Sequence, residues 1–150
     1  MKSSLFIVMF SLVLSACTST QSTLKNIDNN SEIPKVSAVN TFILTAYSKD
    51  KKYGYDKDYP INVFYKNVAS AKENQERFLN ALAGPKGEQI SYAKTEICCP
   101  FPCTKSEMGV ASLDVYSITW EGQKKPVILY LNSYEKGALM VPTGFSLKQN

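Results

Sequence analysis

Cys98-Cys99-Pro100-Phe101-Pro102-Cys103 gathers three of the four cysteines of the chain into one short run. Thiols this close can form a disulfide or serve as a redox pair or nucleophile. Cys99–Cys103 and Cys98–Cys103 bonds are both sterically open; a vicinal Cys98–Cys99 bond is a more strained third option. A disulfide that closes so small a loop stabilises by about 2 kcal/mol in the chain-entropy model, and its benefit is local. The redox reading lacks the Cys-x-x-Cys spacing and any histidine to lower a thiol pKa. A structural role is therefore expected for Cys98, Cys99 and Cys103. The chain has no histidine at all. This removes Ser-His-Asp and Cys-His catalysis, histidine general bases and histidine metal ligands.

Two other groups carry chemistry. The stretch from Lys49 to Pro60 interleaves lysines, aspartates and the tyrosines Tyr53, Tyr55 and Tyr59. Lys52, Tyr53, Tyr55 and Tyr59 form a candidate ligand-binding loop for a sugar or an anionic headgroup. The plainer alternative is a turn whose tyrosines fold back onto a sheet. Asp56 and Asp58 resemble the start of a calcium loop, but the third ligand, the glycine and the closing glutamate are missing. No metal and no cofactor are expected. Asp114 sits inside a predicted strand, and Glu88 and Glu96 flank another. A pair held about 5 to 9 Å apart could hydrolyse glycosides, although salt bridges on a strand face are the commoner use.

The N-terminus decides where this chemistry would operate. Lys2 precedes an apolar run from Leu5 to Leu14, followed by Ser15, Ala16 and Cys17. The run is too short to span a bilayer, which takes roughly 20 apolar residues. Leu14-Ser15-Ala16-Cys17 resembles the lipobox of bacterial lipoproteins, in which a peptidase cuts before an acylated cysteine. The resemblance implies a signal peptide over 1–16, lipidation at Cys17 and anchoring to a membrane through acyl chains. One acyl chain binds only marginally, so stable anchoring takes two or more. Thr18, where enteric-type sorting would need aspartate for inner-membrane retention, points to the outer membrane. Export brings the cysteines into an oxidising compartment; with Cys17 acylated, one of the other three stays unpaired by a disulfide within the chain. The net charge of +4 falls to +3 once Lys2 leaves, an ordinary value with no warrant for a nucleic-acid partner.

The elements that must position these groups follow from spacing. Residues 17–40 are rich in Ser, Thr and Asn and read as a lipidated N-terminus and flexible linker. A coil of about 20 residues would reach roughly 25 Å. Residues 41–150 then form a single domain. Ala71 to Ala83 reads as a helix with Ser70 as N-cap, Glu73 completing a capping box, and Gly84-Pro85 ending it. Ala71, Phe78, Leu79 and Leu82 form its apolar stripe, and Lys72/Glu76 and Glu73/Arg77 are i,i+4 pairs. Strands are expected at Thr41–Tyr47, Ile61–Lys66, Ile90–Ile97, Leu113–Trp120 and Val127–Asn132, with a short last one near Ala138–Val141. Val127–Asn132 should lie inside the sheet and pair with its predecessor as a hairpin around Gly122. The expected class is α+β: a mostly antiparallel sheet of about five strands with one helix on a face.

Tyr53-Gly54-Tyr55, Arg77-Phe78-Leu79-Asn80-Ala81-Leu82-Ala83-Gly84-Pro85, Ser91-Tyr92, Cys98-Cys99-Pro100-Phe101, Leu113-Asp114-Val115-Tyr116, Thr119-Trp120-Glu121-Gly122 and Tyr130-Leu131-Asn132 together resemble a family of small bacterial lipoproteins. The resemblance covers Tyr53 to Phe145 and carries no catalytic residues with it. Some relatives bear the name 2-dehydro-3-deoxyphosphooctonate aldolase, but a (β/α)₈ barrel of that kind needs about 250 residues. The expected function is a tethered binding or structural module of the envelope, with a protein or glycan partner. The alternative is a small envelope enzyme or thiol-redox protein using the Cys98–Cys103 region.

Overall fold

The computed structural model describes residues 22–64 and 68–149, with the side chains of Val68 and Ala69 left out. Cys17, the signal segment, Tyr65 and Lys66 lie outside the described residues. The elements in chain order are β1 (Ile61–Asn62), α1 (Val68–Asn80), β2 (Leu82–Ala83), β3 (Ile90–Pro102), β4 (Val110–Trp120), β5 (Val127–Asn132) and β6 (Ser146–Leu147). The class is α+β, mainly β, and mostly antiparallel. The strands form a four-stranded sheet, ordered β1-β5-β4-β3, and a two-stranded sheet of β2 and β6. Among the described strands only β1 and β5 run parallel.

β4 explains the architecture. Its side chains alternate, so Ala111, Leu113 and Val115 face one side while Asp114, Tyr116, Ile118 and Trp120 face the other. On the second side, Tyr116 and Ile118 meet Leu129 and Leu131 of β5 and Phe78 and Leu79 of α1, forming the main core. Phe42, Leu44, Tyr53 and Val141 close it from the loops. On the first side, Ala111 and Leu113 pack with Phe101, Cys103 and Leu24 in a smaller core.

β5 sits between β1 and β4, inside the sheet as its apolar run predicts. The β4–β5 pair is the expected antiparallel hairpin, with Ile118 opposite Val127. Thr41–Tyr47 differs from its predicted strand. Its alternation is real, since Phe42 and Leu44 are buried and Ile43 and Tyr47 exposed, but it makes only isolated bridges to Val36 and Val141. The predicted last strand at 138–141 is likewise only that bridge; the true last strand is β6.

α1 begins before Ser70 and stops at Asn80. Ser70 is therefore inside the first turn and not the N-cap. The Asn74 amide donates to the carbonyls of Val63 and Phe64, which ties the entering chain to the helix a turn further in. At the other end, tertiary pairing overrides helix propensity. Leu82 and Ala83 pair with Leu147 and Ser146, and Lys148 N–H donates to Ala81 at 2.9 Å. Gly84 lies beyond that strand, not at a helix cap. The i,i+4 pairs form as expected, with Glu73–Arg77 at 2.6 Å and Lys72–Glu76 at 3.5 Å.

The flexible-linker expectation is corrected over residues 22–40. Leu24 is buried in the smaller core. Lys25 N–H donates to Asp58 at 2.9 Å and Asp28 N–H to Lys136 at 2.8 Å. The Asn62 amide donates to the carbonyls of Lys25 and Asn26 at 3.1 and 2.8 Å. Truncating a buried leucine to alanine costs about 2 kcal/mol or more. Leu24→Asp should cost at least as much and expose Lys25 and Lys35 to trypsin, whereas both sites resist in the parent chain. Equal cutting rates in the two proteins would show that the segment is not held.

Candidate functional site

The residue that organises the site is a polar one in an apolar stripe. Gln75 falls on the α1 face that also carries Ala71, Phe78 and Leu79, and only 2% of it is exposed. A carboxamide buried there must find partners or lose about 1–3 kcal/mol per unsatisfied group. It finds three. Nε2 donates to Asp114 Oδ2 at 2.6 Å and to Ser133 Oγ at 2.7 Å. Oε1 accepts from the Tyr116 hydroxyl at 2.7 Å.

The network continues across the sheet. Lys94 stands opposite Tyr116 in the β3–β4 register, and its Nζ lies 2.6 Å from Asp114 Oδ1. Tyr92, next along the same face of β3, packs edge-on against Tyr116 at 6.1 Å and donates to Asn80 at 2.8 Å. Ala71 is too small to close the space between helix and sheet. The result is a cleft of about 370 Å³ lined by Ala71, Lys72, Gln75 and Glu76 on one wall and by Tyr92, Lys94, Asp114 and Tyr116 on the other. That volume lies at the lower end of the range for small-molecule sites. Burial pushes the Tyr116 phenol up from about 10 to about 12, helped by the charges of Asp114 and Glu76. At neutral pH it is a fixed hydrogen-bond donor rather than a proton carrier.

Of the three carboxylates singled out from sequence, only Asp114 reaches this cleft. Glu96 pairs in register with Val115 and therefore points to the opposite face. Glu88 shapes the turn after Gly84, its carboxylate accepting from Lys86 N–H at 2.7 Å. They do not form a catalytic pair with Asp114. Gln75, Glu76, Tyr92, Lys94 and Tyr116 were not foreseen as site residues. The one available signal was Gln75, a polar break in the helical stripe.

The cysteine run lies elsewhere. Cys98 to Pro102 form the end of β3, and Cys103 follows it. The sulfurs of Cys98 and Cys99 are bonded to each other, and Cys103 is free and buried. The Cys103 thiol donates to Glu135 Oε1 at 3.4 Å, and Lys105 Nζ sits 2.6 Å from Glu135 Oε2. Burial pushes the thiol pKa up, and the Glu135 carboxylate adds to the effect. A protonated, enclosed thiol is a poor nucleophile.

The fold uses the candidate loop of Lys52, Tyr53, Tyr55 and Tyr59 largely for packing. Tyr53 is fully buried, and its hydroxyl accepts from Met140 N–H at 3.1 Å. Tyr55 donates to the Thr143 carbonyl. Tyr59 packs edge-on against Tyr53 at 5.4 Å, under the Lys25 ammonium. Gly54 permits this tight return: its φ is +82° and a Cβ there would meet Ile61 Cδ1 at 2.9 Å. Only Lys52 remains exposed, paired with Asp56 at 3.8 Å. The lipidation residue, Cys17, falls outside the described residues.

Among the described residues no group of three or more cysteine or carboxylate side chains is placed to hold a metal ion, and no helix is long and apolar enough to cross a membrane. Comparison with protein-family models, curated proteins and solved structures gives no match.

Two measurements test these assignments. The folded Tyr116 pKa lies above its unfolded value, so its contribution to stability is complete below pH 10 and declines as pH rises toward 12. Tyr116→Phe should flatten part of that alkaline loss and cost about 1–3 kcal/mol at pH 7, because Gln75 Oε1 loses its donor. Identical pH slopes for the two proteins in urea titrations would contradict the assignment. For the cysteines, native unreduced protein should take up iodoacetamide at none of Cys98, Cys99 and Cys103. Unfolding should release Cys103 alone, and reduction should release all three. Rapid native alkylation of Cys103 would overturn its enclosure.

Proposed function

We propose that this chain is a lipid-anchored protein of the bacterial envelope, held at the outer membrane through Cys17, that binds a small ligand carrying both an ammonium and a carboxylate. The observation that carries the binding half is the charge layout of the α1 cleft. Lys94 and Asp114 pair on the sheet wall, while Lys72 and Glu76 pair on the helix wall. Both signs are thus presented on both walls, beside two phenol rings. A zwitterionic ligand can exchange for one of these pairs and keep every charge partnered, so that no unpaired charge is left in the cleft. Amino acids, short peptides and peptide-bearing glycans have this chemistry.

Binding is favoured over catalysis because the polar groups of the sheet wall are already committed to one another and Tyr116 stays protonated at neutral pH. The enzyme or thiol-redox alternative draws little support from a buried, protonated Cys103 and a Cys98–Cys99 pair that lies off the cleft. Anchoring rests on the Leu14-Ser15-Ala16-Cys17 pattern.

The test is a titration of the full chain with alanyl-alanine, followed by amide NMR. Shifts should cluster at Gln75, Tyr92, Lys94 and Asp114. N-acetylated or amide-capped forms should bind about tenfold more weakly, the loss expected when one charge-assisted bond goes. Lys94→Met should weaken the free dipeptide to a similar degree. Equal shifts for free and capped dipeptide, or shifts scattered over the surface, would remove the reading. Metabolic labelling with a fatty-acid analogue should mark the parent chain and spare Cys17→Ser.

A further inference from the structure

The N-terminal segment is fastened to the domain by more than its one leucine. Its attachment crosses several elements. Asn62 of β1 grips the carbonyls of Lys25 and Asn26, and Asn132 of β5 holds Asn62 in place at 2.9 Å. The Asn26 amide donates to Ala138 at 2.9 Å, and Lys105 reaches Asn29 at 2.7 Å. Gly137 is shaped for this contact: a Cβ there would lie 1.9 Å from the Asn26 carbonyl. Asn62 and Asn132 are buried, so their amides are built into the fold for this purpose and are not surface groups that found a neighbour by chance.

We propose that residues 22–30 are a clamp that holds the domain directly against the bilayer, with the sheet face under Leu24 toward the headgroups and the α1 cleft away from them. This rests on acylation of Cys17. Seven residues at full stretch span at most about 25 Å. That is the greatest distance Leu24 can stand from its lipid. A domain of this size has a radius of gyration near 14 Å, hence a diameter of about 35 Å. The tether is shorter than the body it holds. A linker free through Asn40 would reach about 80 Å and permit any orientation; the clamped one does not. Leu24 packs on the Ala111–Leu113 face of β4, whereas Asp114 and Tyr116 of the cleft point from the other face. The sheet therefore stands between the anchor and the cleft. Lys25 lies within the clamp and Lys57 beside it, but Asp28 and Asp58 stand with them, so acyl chains rather than net charge make the attachment.

The full acylated chain, in vesicles of phosphatidylethanolamine and phosphatidylglycerol, tests this by lysine acetylation footprinting. Beside it runs a form with about 20 Gly/Ser residues inserted after Thr18, a coil of roughly 25 Å r.m.s.. Lys25 and Lys57 should react several-fold more slowly in the parent than in the spacer form, while Lys72 and Lys94 react alike in both. Gly137→Val should keep its acyl mass and lose the protection. Uniform lysine reactivity in an acylated parent chain would overturn the clamp and leave the anchor standing. A Cys17 peptide without acyl mass would overturn the anchor and the clamp together.

Discussion

A sheet has two faces, and this one has a single helix to cover them. That constraint shapes most of the molecule. α1 lays Phe78 and Leu79 over Ile118, Leu129 and Leu131 and so dries one side. Without a cover the opposite side would expose Ala111, Leu113 and Phe101, and apolar area left in water forfeits about 25 cal/mol per Å². No second helix is available among the described residues. The chain covers the face with what precedes the domain, placing Leu24 there and fixing the backbone around it with Asn62 and Asn132. The segment that composition marks as a spacer is thus part of the fold.

The cleft follows from the same economy. A helix with an unbroken apolar stripe would have sealed against β3 and β4 along its length. Here Gln75 interrupts the stripe and draws Asp114, Tyr116 and Ser133 into contact with it. Ala71, one turn earlier, leaves room that a leucine would fill. The polar network fixes the sheet wall in one arrangement, since each bond of the carboxamide is spoken for. Lys94, 41% exposed, and Glu76, 42% exposed, remain at the mouth where a ligand can reach them.

Period was a sound guide where a residue's neighbours in sequence decide its environment. The helix stripe, the β4–β5 hairpin and the interior place of β5 were legible in this way. Boundaries were not, because partners distant in sequence set them: Leu82 and Ala83 leave the helix to pair with a strand at 146–147. The alternation of Phe42 and Leu44 reported burial correctly and pairing incorrectly, since side-chain period carries no information on which backbone lies alongside. Residues 22–40 read as a linker because an average over a polar stretch hides one decisive leucine. In the site, Asp114 was visible as a carboxylate within a strand. Its partners were not, as Lys94 and Gln75 meet it only through strand register and helix docking. The tyrosines of the 49–60 loop show the converse, aromatic residues in a charged segment that the core recruits.

The cysteine run belongs to the problem of the sheet's edge. β3 is a long outer strand of 13 residues, and an unbroken edge of that length would template pairing with another chain. It is broken twice. Between Lys94 and Glu96 an extra residue shifts the register, turning Glu96 and Cys98 to the Leu113 face. Between Cys98 and Phe101 a second shift occurs, where Cys99 adopts φ of 59° and is bonded to Cys98. A left-handed backbone is unfavourable for a residue with a Cβ and persists only where its surroundings enforce it. The bond to Cys98 supplies that enforcement. The kink delivers Phe101 into the smaller core beside Cys103 and Leu24, while Pro100 and Pro102 withhold two ladder donors from the edge. The sulfurs that first suggest chemistry therefore act on shape: they end the edge, bury Phe101 and complete the face on which the N-terminal segment docks.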